Sequence, residues 1–155
     1  MRVLPVLSLL LLTGCPEGDE HDHEHHHHGV DTSDTANLHF EGLTSAQSDG
    51  GSFFVEYTPN PDPIPVSDEF SLTIVVHDGA DTETVLSSVD SVSIDADMPE
   101  HGHGMNVVPE VVDNGDGSFT ASPFAFHMPG YWEIYVDVTV GDTTERATFS
   151  VDCCD

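Results

Sequence analysis

From about Asn37 onward the chain never settles into helical periodicity, and short β-type runs are broken again and again by turn-forming residues. "GSFFVEYTP", "EFSLTIVVHD", "DSVSIDAD", "NVVPEVVD", "GSFTASPFAF", "GYWEIYVDVTV" and "TTERATFSVD" are enriched in β-branched or aromatic residues, several with period-two alternation. Between them stand strong turn signals: "PNPDPIP", "DGAD", "DNGDG", "MPG" and "VGD". About seven short strands over roughly a hundred residues predict an all-β fold, an immunoglobulin-like antiparallel β-sandwich. "DNGDG" at 113–117 has some of the look of a calcium loop, but it lacks the distal glutamate and reads as a hairpin turn. No internal repeat is present.

The strand order also predicts which loops meet. If Asp90–Asp97 runs upward, Met98–Asn106 lies at the top and Val107–Val112 returns downward. After the "DNGDG" turn, Ser118–Phe126 climbs, so "HMPG" is again at the top. Tyr131–Val140 descends and Thr144–Asp152 climbs last, delivering Cys153 and Cys154 to the same end. A missed strand would move one of these groups to the opposite end.

Composition narrows the setting. The 155 residues suffice for one domain plus appendages. Acids outnumber bases 29 to two, a net charge of −27 with neutral histidines, which excludes nucleic acid as a partner and attracts cations. The first 15 residues, "MRVLPVLSLLLLTGC", carry one positive charge, an apolar run too short to span a bilayer, and small residues before a cysteine. Leu12-Thr13-Gly14-Cys15 reads as a lipobox resembling that of bacterial lipoproteins, with residues 1–14 as signal peptide and Cys15 as the acylated residue. Residues 15–36, polar and rich in His, Asp and Glu, are expected to be a flexible tether, and residues 37–155 the folded domain.

Methionine is scarce, and its placement is informative. Beyond the initiator only Met98, Met105 and Met128 remain, each within a few residues of a histidine. "MPEHGHGM" spaces His101, His103 and Met105 at alternate positions with glycines between, and "FHMPG" adds His127 beside Met128. Thioether sulfur is a soft ligand and imidazole a borderline one, a mixture suited to copper and especially Cu(I). The expected ligands are His101, His103, Met105 and His127, with Met98 and Met128 competing for a place. The bland alternative is that the methionines cover the end of the core and the histidines are merely solvated.

Two further motifs bear on metals. The tract "HDHEHHHH", with His21, His23, His25, His26, His27 and His28, binds divalent transition metals weakly through neutral imidazoles, or serves only as a soluble spacer. Cys153 and Cys154 remain if Cys15 is acylated, as an easily reduced disulfide of adjacent residues, a soft-metal pair or a link to another chain. Catalysis has little support, because no nucleophile motif and no nucleotide-binding glycine loop is present.

"PNPDPIPVSDEFSLTIVVHDG", "DADMPEHGHGM", "DGSFTASPFAFHMPGYWEIYVDV" and "ERATFSV" together resemble the YtkA-like domain family and the related FixH-like proteins. Those are small extracytoplasmic β-sandwich domains with a "MPxHGHGM" signature and a "FxMPGxWE" hairpin. The resemblance covers roughly Asn37 to Asp152. It implies a membrane-associated domain of the bacterial envelope, with copper handling inferred for some members. It carries over Met98, Pro99, His101, Gly102, His103, Gly104 and Met105, then Met128, Pro129, Gly130 and Trp132, with the proline, the glycines and Trp132 as architecture. His127 and the "DCCD" ending depart from the pattern.

The expectation is a lipid-anchored, non-enzymatic envelope protein that carries, buffers or delivers copper through a His/Met site, with an envelope protein as partner in metal delivery. The alternative is a non-metal, immunoglobulin-like interaction module of the envelope. A zinc scavenger acting through the tract predicts that deleting His21–His28 removes all binding.

Overall fold

The computed structural model describes residues 43–154; the expected signal peptide and tether (residues 1–36), with Cys15 and the histidine tract, and His39 lie outside the described residues. Nine strands are present among the described residues: β1 (Ser45–Gln47), β2 (Phe53–Asn60), β3 (Phe70–Asp78), β4 (Ser91–Met98), β5 (His103–Gly104), β6 (Glu110–Asp113), β7 (Ser118–Phe124), β8 (Gly130–Val140) and β9 (Thr143–Cys153). They form a five-stranded sheet, β1-β2-β3-β7-β6, and a four-stranded sheet, β5-β4-β8-β9, with every pairing antiparallel. The all-β sandwich read from the sequence is the fold of the molecule. Among the described residues no helix is long and apolar enough to cross a membrane.

Alternation explains the layering. Along β4, Val92, Ile94, Ala96 and Met98 are buried while Ser91, Ser93, Asp95 and Asp97 are exposed. β8 does the same with Trp132, Ile134, Val136 and Val138, and β9 with Ala147, Phe149, Val151 and Cys153. With successive side chains on opposite faces, one apolar residue in two is enough to line the core. The facing sheet contributes Val55, Tyr57, Leu72, Ile74, Val76 and Phe124 to the same cluster. Tyr57 meets Phe149 across the sheets edge to face at 5.1 Å, and burial pushes its phenol up to about 12.

Two strands exceed the expected seven. β1 is three residues and β5 two, both sheet edges too short to show periodicity. The expected strand in "NVVPEVVD" shrinks to Glu110–Asp113 because Pro109 cannot donate to a ladder. β5 does not upset the order of the ends: it pairs antiparallel with β4, and β6 pairs antiparallel with the rising β7. β5 and β6 are thus two pieces of one descending leg. Register then places Met98 opposite His103, and Gly130 opposite Cys153, at one end of the sandwich.

At the other end Glu145, near the start of β9, ties the two sheets together. Its carboxylate accepts from the Ser48 hydroxyl at 2.6 Å, the Ser52 amide at 2.9 Å and the Ser52 hydroxyl at 2.5 Å. These hydrogen bonds, that of Ser48 first, hold its carboxyl below the ordinary 4.5. Because folding lowers this pKa, the stabilisation is present above the unfolded value and is lost as pH falls through the folded one. Glu145→Gln is expected to unfold more easily than the parent at neutral pH, and the difference should close in acid. Urea midpoints measured across that range check it.

Candidate metal centre

Two segments cross the histidine end, and each is pinned to the core. β4 ends at Met98, whose carbonyl accepts from the amides of His101 at 3.0 Å and Gly102 at 2.9 Å. That turn needs φ +68° at Gly102, a left-handed conformation natural to glycine. The chain then pairs back through His103, opposite Met98, and Met105 donates its amide to Ala96 O. The second segment, Ala125–Pro129, joins β7 to β8. It is closed by Trp132, whose indole N–H donates to Met128 O at 3.0 Å.

The two segments bring their imidazoles together. The His103 ring centroid lies 5.8 Å from that of His101 and 5.2 Å from that of His127. Under this row sits Trp132, 0% exposed, stacked on Phe126 at 4.6 Å and meeting His127 at 5.5 Å and His103 at 6.3 Å edge to face. His103 Nδ1 is 3.2 Å from Gly104 O. A carbonyl only accepts, so Nδ1 is the donor in this contact, and in the neutral ring Nε2 is then the nitrogen with the lone pair. Such an outer hydrogen bond is how metal-ligating histidines are commonly oriented. His127 Nδ1 is buried and has no hydrogen-bond partner. An unpaired buried polar atom is unfavourable by roughly 1–3 kcal/mol, so a ligand for it would relieve a standing penalty.

The methionines divide. Met98 is 1% exposed and belongs to the core beneath the histidines. Met105 and Met128 are partly buried and pack against the same core from its rim. The rings are near enough to share an ion: two imidazoles on one metal at about 2.0–2.1 Å from each nitrogen have centroids up to about 6.3 Å apart. Among the described residues no group of three His, Cys, Asp or Glu side chains stands ready to hold a metal ion. Any ion bound here would therefore draw in thioether sulfur or move a histidine.

A cavity of about 320 Å³ opens beside His103, lined by Asp97, Met98, Gly102 and Tyr135 among others. Tyr135 and Tyr131 both donate to the Glu133 carboxylate, and the bond from Tyr135 pushes its phenol up to about 12. Arg146 is engaged by Asp137 through two hydrogen bonds, 2.7 and 2.8 Å, and lies over the Tyr135 ring. The field around the site is thus carboxylate-rich, which favours cations.

Cys153 and Cys154, joined by a disulfide, reach the same end. His77, to which the sequence assigns nothing, is buried near the end of β3 with Nε2 3.1 Å from Glu56 of β2, toward the opposite end of the sandwich. Trp132 is the contributor that sequence reasoning undervalued: read as architecture alone, it is also the floor of the histidine row. Gly130 is fitted to that floor, with φ +129° and a would-be Cβ only 3.1 Å from Met98 Cε. Gly130→Ala is expected to destabilise by about 1–3 kcal/mol, more than Gly102→Ala, where the space is open. Chemical denaturation of the two variants side by side decides this.

Fold and site together define a small antiparallel β-sandwich domain with a histidine- and methionine-lined end. The chain belongs to the YtkA-like family, whose model matches residues 45–137, more than half of the chain. The match takes in β1 through most of β8, including both His/Met segments, and leaves β9 and the cysteine pair outside. No curated protein and no solved structure shows a significant match.

Proposed function

We propose that this protein is a lipid-anchored, non-catalytic component of a bacterial cell envelope that binds copper, as Cu(I), and carries, buffers or delivers it. The observation that carries the reading is the row of His101, His103 and His127, in which His127 Nδ1 is buried without a partner. The neighbouring thioethers of Met105 and Met128 supply the softness that favours copper over zinc. Cargo must leave as well as arrive, and an exposed His101 on a glycine turn suits a ligand that exchanges. The lipobox at Cys15 supports membrane anchoring, and the acidic surface supports a partner with a positive docking face.

A second reading, an interaction module without metal, is favoured by the burial of Met98, which behaves as core filling. Melting curves of the full chain and of a chain lacking residues 21–28, each with and without Cu(I), separate the two. Copper at roughly 100-fold its Kd stabilises a native site by about 2.7 kcal/mol, and that shift is expected in both proteins. Coincident curves for the shortened chain would sink the copper reading. Trp132, the single tryptophan, gives a local readout, since its emission should change when an ion binds above it.

A further inference from the structure

The Cys153–Cys154 disulfide lies at the histidine end, and its two sulfurs differ in access. Cys153 ends β9, 5% exposed within the core. Cys154 is half-buried, its Sγ 3.9 Å from Pro65 O. Thiol–disulfide exchange begins with attack on a sulfur that the incoming thiolate can reach, and burial shields Cys153. Cys154 is therefore the point of entry and Cys153 the leaving sulfur.

Two routes tie this pair to the metal-site loop. Cys153 faces Gly130 in the β8–β9 ladder, three residues beyond His127. On the other side Cys154 rests against Pro65, and two residues further Ser67 grips the loop itself. The Ser67 amide donates to Phe126 O at 3.0 Å, and its hydroxyl to His127 O at 3.4 Å. A change at Cys154 thus reaches the backbone that carries His127.

We propose that Cys153–Cys154 is a thiol-exchange site for a dithiol reductant, and that opening it loosens the His127 loop and weakens copper binding. The second half rests on the copper reading above; the first does not. In the first step a thiolate bonds to Cys154 Sγ, and the S–S electron pair leaves on Cys153 Sγ, which takes up a proton. The reductant's second thiolate then attacks its own sulfur in the mixed disulfide and releases Cys154, which is protonated. Two electrons and two protons pass to the cysteine pair, and the dithiol becomes a disulfide. Reduction at the membrane would then favour release of the cargo to a partner.

The test uses the metal-free full chain. Glutathione is added under native conditions, the reaction is trapped by alkylation, and the adduct is placed by peptide fragmentation between the two cysteines. Glutathione on Cys154 is expected; an adduct on Cys153, or none without denaturant, overturns the exchange site. Cu(I) is then titrated, read by Trp132 emission, into three forms: oxidised, reduced by dithiothreitol and freed of it, and Cys153→Ser/Cys154→Ser. Both forms lacking the disulfide are expected to bind about tenfold more weakly than the oxidised chain, a coupling within the usual allosteric range. Tighter binding by the reduced form, with the serine variant matching the oxidised one, makes the thiols ligands and overturns the coupling. Equal affinities in all three overturn the coupling and leave the copper reading standing. No copper response in any form overturns that reading, while the glutathione map still decides the exchange site.

Discussion

In a Cu(I) titration against a competing chelator, under reducing conditions, the chain lacking residues 21–28 is expected to bind one equivalent tightly. His103→Ala/Met105→Ala and His103→Ala/His127→Ala are both expected to lose that binding. The geometry sets the size of the effect. His103 is the middle ring of the row, 5.8 and 5.2 Å from its neighbours, and the one whose tautomer the Gly104 carbonyl holds. Outer groups that merely orient ligands are worth 10- to 100-fold in metal affinity, so removing two ligands should exceed about a hundredfold. The two variants also divide the chemistry. If the soft sulfur matters, Met105→Ala alone weakens Cu(I) far more than it weakens Zn(II). Binding unchanged in both double variants would place the metal elsewhere and return the loop to architecture. A full chain that binds while the shortened one does not would identify the histidine tract as the sole binder.

The second large effect is on stability. Trp132→Ala is expected to destabilise the domain by about 3–5 kcal/mol, the usual range for a buried aromatic cut to alanine. Trp132 is 0% exposed, stacks on Phe126 at 4.6 Å, and supports both His103 and His127 from below. Its loss also removes the donor to Met128 O, the bond that closes the Ala125–Pro129 segment. Trp132→Phe keeps most of the apolar volume but not that donor, so its deficit should be smaller, with about 1 kcal/mol of it from the hydrogen bond. Urea unfolding of the three proteins measures the series. A loss below about 1 kcal/mol in Trp132→Ala would mean that the ring is not the keystone its burial indicates.

The strands that were legible in the sequence are those with one face in the core. "DSVSIDAD" alternates over Asp90–Asp97, and β4 follows that alternation one residue further along, from Ser91 to Met98, so that Met98 closes the strand instead of opening the loop. β1 and β5 left no such trace, since two or three residues carry no period and edge pairing is decided by a neighbour. The shared end for both His/Met segments survived the unseen β5 for a definite reason: β5 and β6 descend in the same direction, so no reversal was added. Trp132 was legible only as architecture, through the family resemblance. Its place beneath the histidines was not, because alternation assigns a side chain to a face and says nothing of what lies across it.

The same division runs through the site. Residue type and order alone determined the softness of the candidate donor set, the end of the sandwich where its residues lie and the strongly acidic setting, because these follow from chemistry, strand parity and composition. Only the tertiary structure decided that Met98 is buried, that His127 Nδ1 is left without a partner, and that Cys154 rests against the loop gripping His127. Each of those depends on which residue from a distant strand closes over the atom. Contacts of that kind arise when two sheets meet, and no local period encodes them.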